Sequence, residues 1–159
     1  MLNILKKKDE FRENGISLAK KLREKIPIIY SSQLLMPAAM RFKTQINENA
    51  KLPAFYNVFS EMNHNEINAF SWIDKKFTAV LINDIYDNER IQKRMRVCKE
   101  IMEERIEVAE INVQGKHILS RLFSAIYLGD FASYYLAISN RVDPTPVEVI
   151  ERLKKGLVK

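Results

Sequence analysis

The stretch from Arg41 to Glu66 holds the side chains best suited to chemistry, in two polar clusters around a short apolar segment. The first cluster contains Glu48, between Asn47 and Asn49, and the second contains His64. A carboxylate can serve as a general base, and imidazole gains and loses a proton near neutral pH. Such dense clusters of polar side chains do not pack well in a hydrophobic core, so the stretch indicates a site for proton transfer.

Each of these side chains also has an ordinary structural interpretation. Glu48 fits a solvated glutamate on an exposed helix face, and His64 fits a helix-capping turn, where asparagines are common. The C-terminal Lys154 and Lys155 fit solvated lysines in the last turns of a helix. The residue types alone leave both interpretations open.

The spacing of Glu61 and His64 raises the further possibility of a metal site. Such a Glu-x-x-His pair occurs in di-iron proteins, but those sites need a second copy of the motif and further glutamates on a four-helix bundle. The other histidine, His117, has Gln114 where that glutamate would stand. We therefore expect no metal and no cofactor.

The apolar pattern predicts strands that alternate with helices, which gives a parallel sheet covered on both faces. We place strands at residues 26–32, 54–59, 77–84 and 106–113, and helices at residues 8–25, 34–50, 89–105, 117–139 and 147–157. The strand residues expected to be buried are Ile28, Ile29, Ala79, Val80, Leu81, Ile82, Val108 and Ile111.

The helix over 117–139 is apolar on more than one face and is expected to break or bend at Gly129. Its surplus apolar surface predicts that the chain is not a monomer.

Composition favours one globular domain of 159 residues, with 47% hydrophobic and 29% charged residues. The net charge is +6, and the basic residues are interleaved with acidic ones, a pattern that disfavours nucleic-acid binding. A basic surface suits the attraction of a phosphorylated sugar. The sequence contains no run of about 18 apolar residues, so it predicts no membrane span. The N-terminus lacks the pattern of a secretory signal. The one cysteine, Cys98, fits a reducing cytoplasm.

Several motifs resemble the second half of the archaeal-type bifunctional phosphoglucose/phosphomannose isomerases. They are KTQ-INENAK, then PAF-NVF, then E-NHNE, and the C-terminal stretch YLGDFASYYLAISNRVDPTPVEVIERLKKGL. The resemblance runs from about Ile26 to the C-terminus. Those enzymes consist of two sugar-isomerase (SIS) domains. The resemblance therefore implies a single SIS-like domain over residues 1–159, with a flavodoxin-like three-layer α-β-α sandwich, equivalent to the second domain.

The resemblance also implies an activity, the interconversion of glucose 6-phosphate or mannose 6-phosphate with fructose 6-phosphate. Glu48 resembles the catalytic base and His64 the residue that opens the sugar ring. Lys154, with Lys155 as the alternative, resembles the lysine that assists at the ring oxygen. Ser31, Ser32 and Thr44 are candidate substrate contacts.

The chain departs from the family in what it lacks. In the relatives, the Ser/Thr-rich phosphate loop and the arginine that stabilises the enediolate come from the first domain, and Arg41 is no substitute by alignment. We expect that first domain to be absent from this chain, and the isolated chain to show little activity. A homodimer or a partner SIS domain would then complete the site. The alternative is a non-catalytic or vestigial SIS module that binds a sugar phosphate and self-associates.

Overall fold

The computed structural model describes residues 6–157. Residues 158–159 lie outside it, as do residues 1–5, which include part of the segment that we judged unlike a secretory signal. The elements are α1 (Lys8–Leu22), β1 (Ile26–Ser31), α2 (Met36–Gln45), β2 (Phe55–Val58), α3 (Phe59–Met62), β3 (Phe77–Asn83), α4 (Glu89–Glu103), β4 (Glu107–Asn112), α5 (Ile118–Ser139) and α6 (Glu148–Leu157). Short 3-10 segments cover Gln33–Leu35 and Glu66–Ser71, and a π-helical segment, Ile46–Ala50, continues α2.

The strands form one parallel sheet in the order β2-β1-β3-β4. Its central strands, β1 and β3, pair in parallel from Ile26 beside Phe77 to Ser31 beside Ile82. The chain leaves β1 toward β2 and leaves β3 toward β4, in opposite directions across the sheet. The carboxyl ends of β1 and β3 therefore flank the position where ligands commonly bind in open α/β sheets.

Helices cover both faces of this sheet. Along β1, Ile29 faces the layer of α1, α2 and α5, whereas Ile28 and Tyr30 face the layer of α3 and α4. The same alternation in β3 buries apolar residues on both faces, as a central parallel strand requires. The predicted three-layer sandwich is confirmed. The strand residues expected to be buried are buried, except Val108, which is partly exposed.

The segment after β1 differs from the single helix predicted over residues 34–50. It begins as a 3-10 turn, becomes α2 with Pro37 in its first turn, and widens into the π-helical segment. Lys51 then ends it in the left-handed region, with φ of 56°. Extra residues inserted into a helix in this way often occur at functional sites.

Of the break or bend predicted at Gly129, the break is wrong, because α5 runs unbroken from Ile118 to Ser139. Gly129 serves close packing instead: a Cβ there would lie 2.9 Å from Cδ2 of Phe42 on α2. At Gly15 on α1, a Cβ would lie 2.6 Å from Cβ of Phe131 on α5. α1 and α2 therefore cover one side of α5. Five large apolar side chains of this helix stay exposed: Ile118, Leu119, Phe123, Tyr134 and Ile138.

The terminal helix α6 is the exception to this packing. None of its residues is buried, although its sequence is strongly amphipathic. Across residues 6–157, no helix combines the length and apolar character needed to cross a membrane.

Candidate functional site

Glu48 lies in an open groove of about 740 Å³ at the end of the sheet where the strands begin. One wall comes from the end of α2 and the π-helical segment, and the other from the chain that enters α6. The groove is lined by Thr44, Asn47, Glu48, Lys51, Val142, Asp143, Pro146, Val147, Glu148, Val149 and Ile150. Its first wall is polar and its second largely apolar. This combination suits a ligand that has both polar groups and apolar surface.

Glu48 is exposed in this groove, and within residues 6–157 its carboxylate accepts no hydrogen bond. The neighbouring asparagines do not enclose it. Asn47 donates to the carbonyl of Leu52 at 2.7 Å, and Asn49 donates to Oγ of Ser133 at 2.9 Å. These bonds fix the backbone of the π-helical segment, so Glu48 is held in place while its carboxylate stays accessible.

Lys51 supports the same segment from its other side. Its Nζ donates to the carbonyl oxygen of Glu48, and to that of Pro144 at 3.4 Å. The lysine thereby ties the Glu48 segment to the loop that leads into α6. It is also a cation on the groove wall, where it would attract an anionic ligand.

Thr44 lines the groove, whereas Lys154 does not. Thr44 lines it, but its hydroxyl proton is used in a hydrogen bond to the carbonyl of Arg41 at 2.8 Å, so toward the groove the hydroxyl can only accept. Lys154 is exposed on α6, beyond the first turn of that helix, which forms the groove wall. The structure therefore groups Thr44 with Glu48 and leaves Lys154 on a neighbouring, solvated turn.

His64 occupies an exposed turn between α3 and the following 3-10 segment, past the carboxyl end of β2. Its polar neighbours brace this turn. Asn65 donates to Glu61 Oε1 at 2.8 Å, Glu66 accepts from Asn57 Nδ2 at 2.7 Å, and Asn63 donates to Cys98 Sγ at 2.8 Å. No hydrogen bond among the described residues reaches the imidazole, so these neighbours do not fix its tautomer.

The chain does not bring Glu48 and His64 together. Glu48 precedes β2 and His64 follows it, so the strand separates them. A strand of four residues spans about 13 Å, at about 3.3 Å per residue. Proton transfer requires contact at about 3 Å, so the two side chains do not exchange a proton directly within this chain.

Ser31 and Ser32 are also far from the groove, buried where β1 ends. Ser31 donates to the carbonyl of Ser32 at 3.0 Å, whereas the Ser32 hydroxyl has no hydrogen-bond partner among the described residues. The nearby Asp87 is 6% exposed, and one of its carboxylate oxygens also lacks a partner there. Burial raises the pKa of Asp87, and the charge of Asp84 adds to that effect.

An ion pair at this carboxyl edge was missed from the sequence. Arg121 on α5 donates through Nε to Asp84 Oδ2 at 2.6 Å and lies over the ring of Tyr86, 4.6 Å from its centroid. Both charged side chains are almost fully buried. Asp84, directly after β3, could have been found as a polar residue at a strand's carboxyl end. An arginine within the apolar run of α5 was the only sign of its partner.

No group of three His, Cys, Asp or Glu side chains in residues 6–157 is arranged to hold a metal ion.

Comparisons with known proteins identify the family. Residues 11–157 match the model of the bacterial phospho-glucose isomerase C-terminal SIS domain. A bifunctional phosphoglucose/phosphomannose isomerase of Caldicellulosiruptor bescii is 43% identical over 88% of this chain and 43% of its own length. The same-named protein of Aquifex aeolicus is 33% identical over 99% of this chain and 50% of its own length.

Solved structures agree with this match. A glucose-6-phosphate isomerase like protein from Thermus thermophilus superposes with a TM-score of 0.67 at 26% identity, over 89% of this chain and 46% of its own. The chain thus spans about half the length of the curated relatives it matches. It belongs to the family of bacterial phospho-glucose isomerase C-terminal SIS domains.

Proposed function

We propose that this chain supplies the proton-transfer groups of a phosphosugar isomerase, which interconverts glucose 6-phosphate or mannose 6-phosphate with fructose 6-phosphate. One observation carries the proposal: the accessible Glu48 carboxylate, held by its backbone in a groove of about 740 Å³ on a SIS domain. The substrate pair comes from the names of the relatives.

Glu48 is the base in this proposal. It takes the proton from C2 of the open-chain aldose, which leaves an enediolate, and returns a proton to C1 to give the ketose. A proton moves between the oxygens on C1 and C2 to complete the exchange. The accessible carboxylate supports this role, because both carbons must reach the same oxygen atoms. Thr44 is a substrate contact from the same wall.

His64 opens the sugar ring before this exchange, and Lys154 assists at the ring oxygen. Because β2 separates His64 from Glu48, we propose that each His64 serves the groove of a neighbouring SIS domain. The second domain also supplies the phosphate cradle and the positive group that stabilises the enediolate. Support comes from the length of the relatives, which is about twice that of this chain.

A chimera tests these roles. This chain replaces its matched segment in the Caldicellulosiruptor bescii enzyme, and conversion of glucose 6-phosphate to fructose 6-phosphate is followed. Glu48→Gln is expected to lower kcat by about 10²- to 10⁴-fold, for closed-ring and open-chain substrates alike. His64→Ala is expected to cost less, because ring opening also proceeds slowly in water, and an open-chain substrate should recover part of the loss.

The matched control is Glu104→Gln, which changes an exposed glutamate next to α4 and should leave kcat unchanged. If Glu48→Gln keeps more than a small fraction of the activity, Glu48 is not the base. If both variants behave like the control, the two residues are solvated surface groups.

The alternative is a module that binds a sugar phosphate without converting it. The separation of Glu48 from His64 by β2 favours it, because one copy of this chain then lacks a complete set of proton-transfer groups at one place. Titration of the folded chain with glucose 6-phosphate, followed by NMR, separates the two functions. Binding at the Glu48 groove together with an inactive chimera would support the module.

A further inference from the structure

The turn that carries His64 rests on buried polar groups. The fully buried Tyr30 of β1 packs against Phe59 of α3 and Phe70 of the following 3-10 segment, with ring centroids 6.0 and 6.3 Å apart. Its hydroxyl has no hydrogen-bond partner among the described residues, and neither does the buried side-chain oxygen of Asn63. Buried polar groups are normally paired in proteins, so two such groups beside one turn are unusual.

Two side-chain hydrogen bonds tie this turn to the sheet and to α4. Two residues after His64, Glu66 accepts at Oε2 from Nδ2 of Asn57 on β2 at 2.7 Å. One residue before His64, Asn63 donates to Sγ of Cys98 on α4 at 2.8 Å. The backbone of His64 is therefore fixed from both sides.

The position of the imidazole depends on this backbone, because no hydrogen bond within residues 6–157 holds the ring itself. Ring opening breaks the bond between C1 and the ring oxygen, which gains a proton while the hydroxyl on C1 loses one. A group that moves such a proton must come within about 2.6–3.2 Å of it. A misplacement of about 1 Å can cost about 100-fold in rate. The anchors of the turn therefore decide whether His64 can act.

Glu66 is the stronger of the two anchors. Only its Oε2 accepts a hydrogen bond among the described residues, so Oε1 can accept from a second donor. Tyr30 offers that donor: burial raises the pKa of its hydroxyl, and the charge of the nearby Glu66 adds to the effect. The hydroxyl thus stays protonated at neutral pH and can donate to the carboxylate. Hydrogen bonds to a charged group are stronger than those between neutral groups such as Asn63 and Cys98.

The stability of the fold does not by itself require this arrangement. Tyr30 belongs to an apolar layer with Phe59, Met62 and Phe70, where a phenylalanine ring would pack without a hydroxyl to satisfy. Replacing buried polar groups by apolar groups of similar shape is often neutral or stabilising. A satisfied polar network, in contrast, holds one geometry rigidly. The polar groups under the turn are thus suited to fixing its position.

We propose that Glu66, held by Asn57 and by the Tyr30 hydroxyl, is a positioning residue that places His64 for opening of the sugar ring. This role rests on the ring opening by His64 that is part of the proposed function. It makes ring opening, but not proton transfer at Glu48, depend on Glu66.

Exchange between the α and β anomers of glucose 6-phosphate tests this role, because it requires ring opening and closure but no transfer between C1 and C2. NMR measures the exchange catalysed by the chimera carrying Glu48→Gln, in which isomerisation is removed. Adding Glu66→Ala is expected to slow catalysed exchange at saturating substrate by about 10- to 100-fold. Glu66→Gln keeps an oxygen that accepts from Asn57 and should recover most of this loss.

A double-mutant cycle assigns the effect to the contact between Glu66 and Asn57. Asn57→Ala should slow exchange as Glu66→Ala does, and the double variant should be no slower than either alone, because both remove the same hydrogen bond. Tyr30→Phe removes only the hydroxyl and should slow exchange by a smaller factor.

Met95→Ala is the control for lost stability. Met95 is buried on α4 in the same apolar layer, so its truncation destabilises the fold while the hydrogen bonds of the His64 turn remain. Thermal unfolding fixes a temperature at which all variants are folded. There, Met95→Ala should exchange the anomers as fast as the parent chimera, whereas Glu66→Ala should stay slow.

Normal exchange by Glu66→Ala, in a chimera that His64→Ala slows, would overturn the positioning role alone. Equal slowing by Met95→Ala and Glu66→Ala would assign the effect to stability and would also overturn that role. If His64→Ala itself leaves exchange unchanged, His64 does not open the ring. The proposed function then fails at that step, and the role of Glu66 fails with it.

Discussion

Asp84 and Arg121 hold together the loops that follow β3 and β4. The pair is almost fully buried, and Arg121 also donates to the carbonyl of Lys116 at 2.9 Å. We predict that Arg121→Met lowers the free energy of unfolding by about 3–5 kcal/mol, because it leaves the Asp84 carboxylate buried without its counterion. Urea unfolding measures this difference.

The double variant Asp84→Asn with Arg121→Met is the control for that prediction. It removes both charges and keeps an oxygen that accepts from the backbone N–H of Tyr86. Most of the lost stability should return. If the double variant is no more stable than Arg121→Met alone, the penalty is due to lost packing and not to an unpaired charge.

The buried Asp87, at the same edge of the sheet, predicts that the stability of the fold depends on pH. Burial raises its pKa, and the nearby Ser32 hydroxyl partly offsets this effect. A folded-state pKa above the unfolded value means that the folded protein binds the extra proton. The contribution of Asp87 to stability is therefore present below the unfolded value of about 3.9 and is lost as the pH rises through the raised value.

Asp87→Asn removes this loss. We predict a Tm about 2–4 °C above the wild type at pH 7, the shift that about 1 kcal/mol produces in a chain of this size. The difference should shrink as the pH falls toward about 4. Thermal unfolding of both proteins across this pH range measures it. A constant difference would mean that the carboxyl does not titrate as described.

Among single residues, the sequence indicated Glu48 and His64 as candidates but did not predict what surrounds them. The motif indicated both positions, yet Asn47 and Asn49 bond to the backbone and to Ser133 rather than to Glu48. The bonds of Asn49 and Arg121 join residues 84 and 37 positions apart. Such contacts depend on the packed fold, and no local spacing reveals them.

Close helix packing at Gly15 gives a prediction at the scale of the elements. Gly→Ala usually stabilises a helix by about 1 kcal/mol. At Gly15, however, the new Cβ would meet Cβ of Phe131 at 2.6 Å and the backbone nitrogen of Ala132 at 3.1 Å. We predict that Gly15→Ala destabilises the chain by about 1–3 kcal/mol, as overpacking typically does.

Gly156 on α6 provides the matched control, because nothing lies within 4 Å of its missing side chain. Gly156→Ala should leave the stability of the fold unchanged or slightly higher. Chemical denaturation of the two variants compares them directly. Equal effects at both positions would show that α1 and α5 adjust to the added methyl group.

Local patterns predicted the elements well where each pattern has one physical cause. The run Phe77–Asn83 is apolar throughout most of its length because β3 is covered on both faces, and Asn88 caps α4 by accepting from the N–H of Arg90. The expected alternative of a break at Gly129 was wrong because a glycine in a helix can serve close approach instead of interrupting the helix. Only the position of Phe42 decides between them.

At the scale of the whole molecule, the alternation of strands and helices predicted the sandwich, whereas the separation of the candidate residues Glu48 and His64 was not predicted. Glu48 and His64 are close in sequence, which suggested one site. Because a parallel strand lies between them, they stand at opposite ends of the sheet. The predicted dimer stays a prediction, and α5 still exposes apolar side chains such as Leu119 and Phe123.

The central claim is that this domain contains the base of the isomerase but lacks groups that a second SIS domain supplies. The most direct test compares turnover of glucose 6-phosphate by the isolated chain with turnover by the chimera described above. Losing even one preorganised charge-stabilising donor costs about 10²- to 10³-fold. We predict that the chimera exceeds the isolated chain by at least that factor. Equal turnover by the two, or a folded chimera without activity, would contradict the claim.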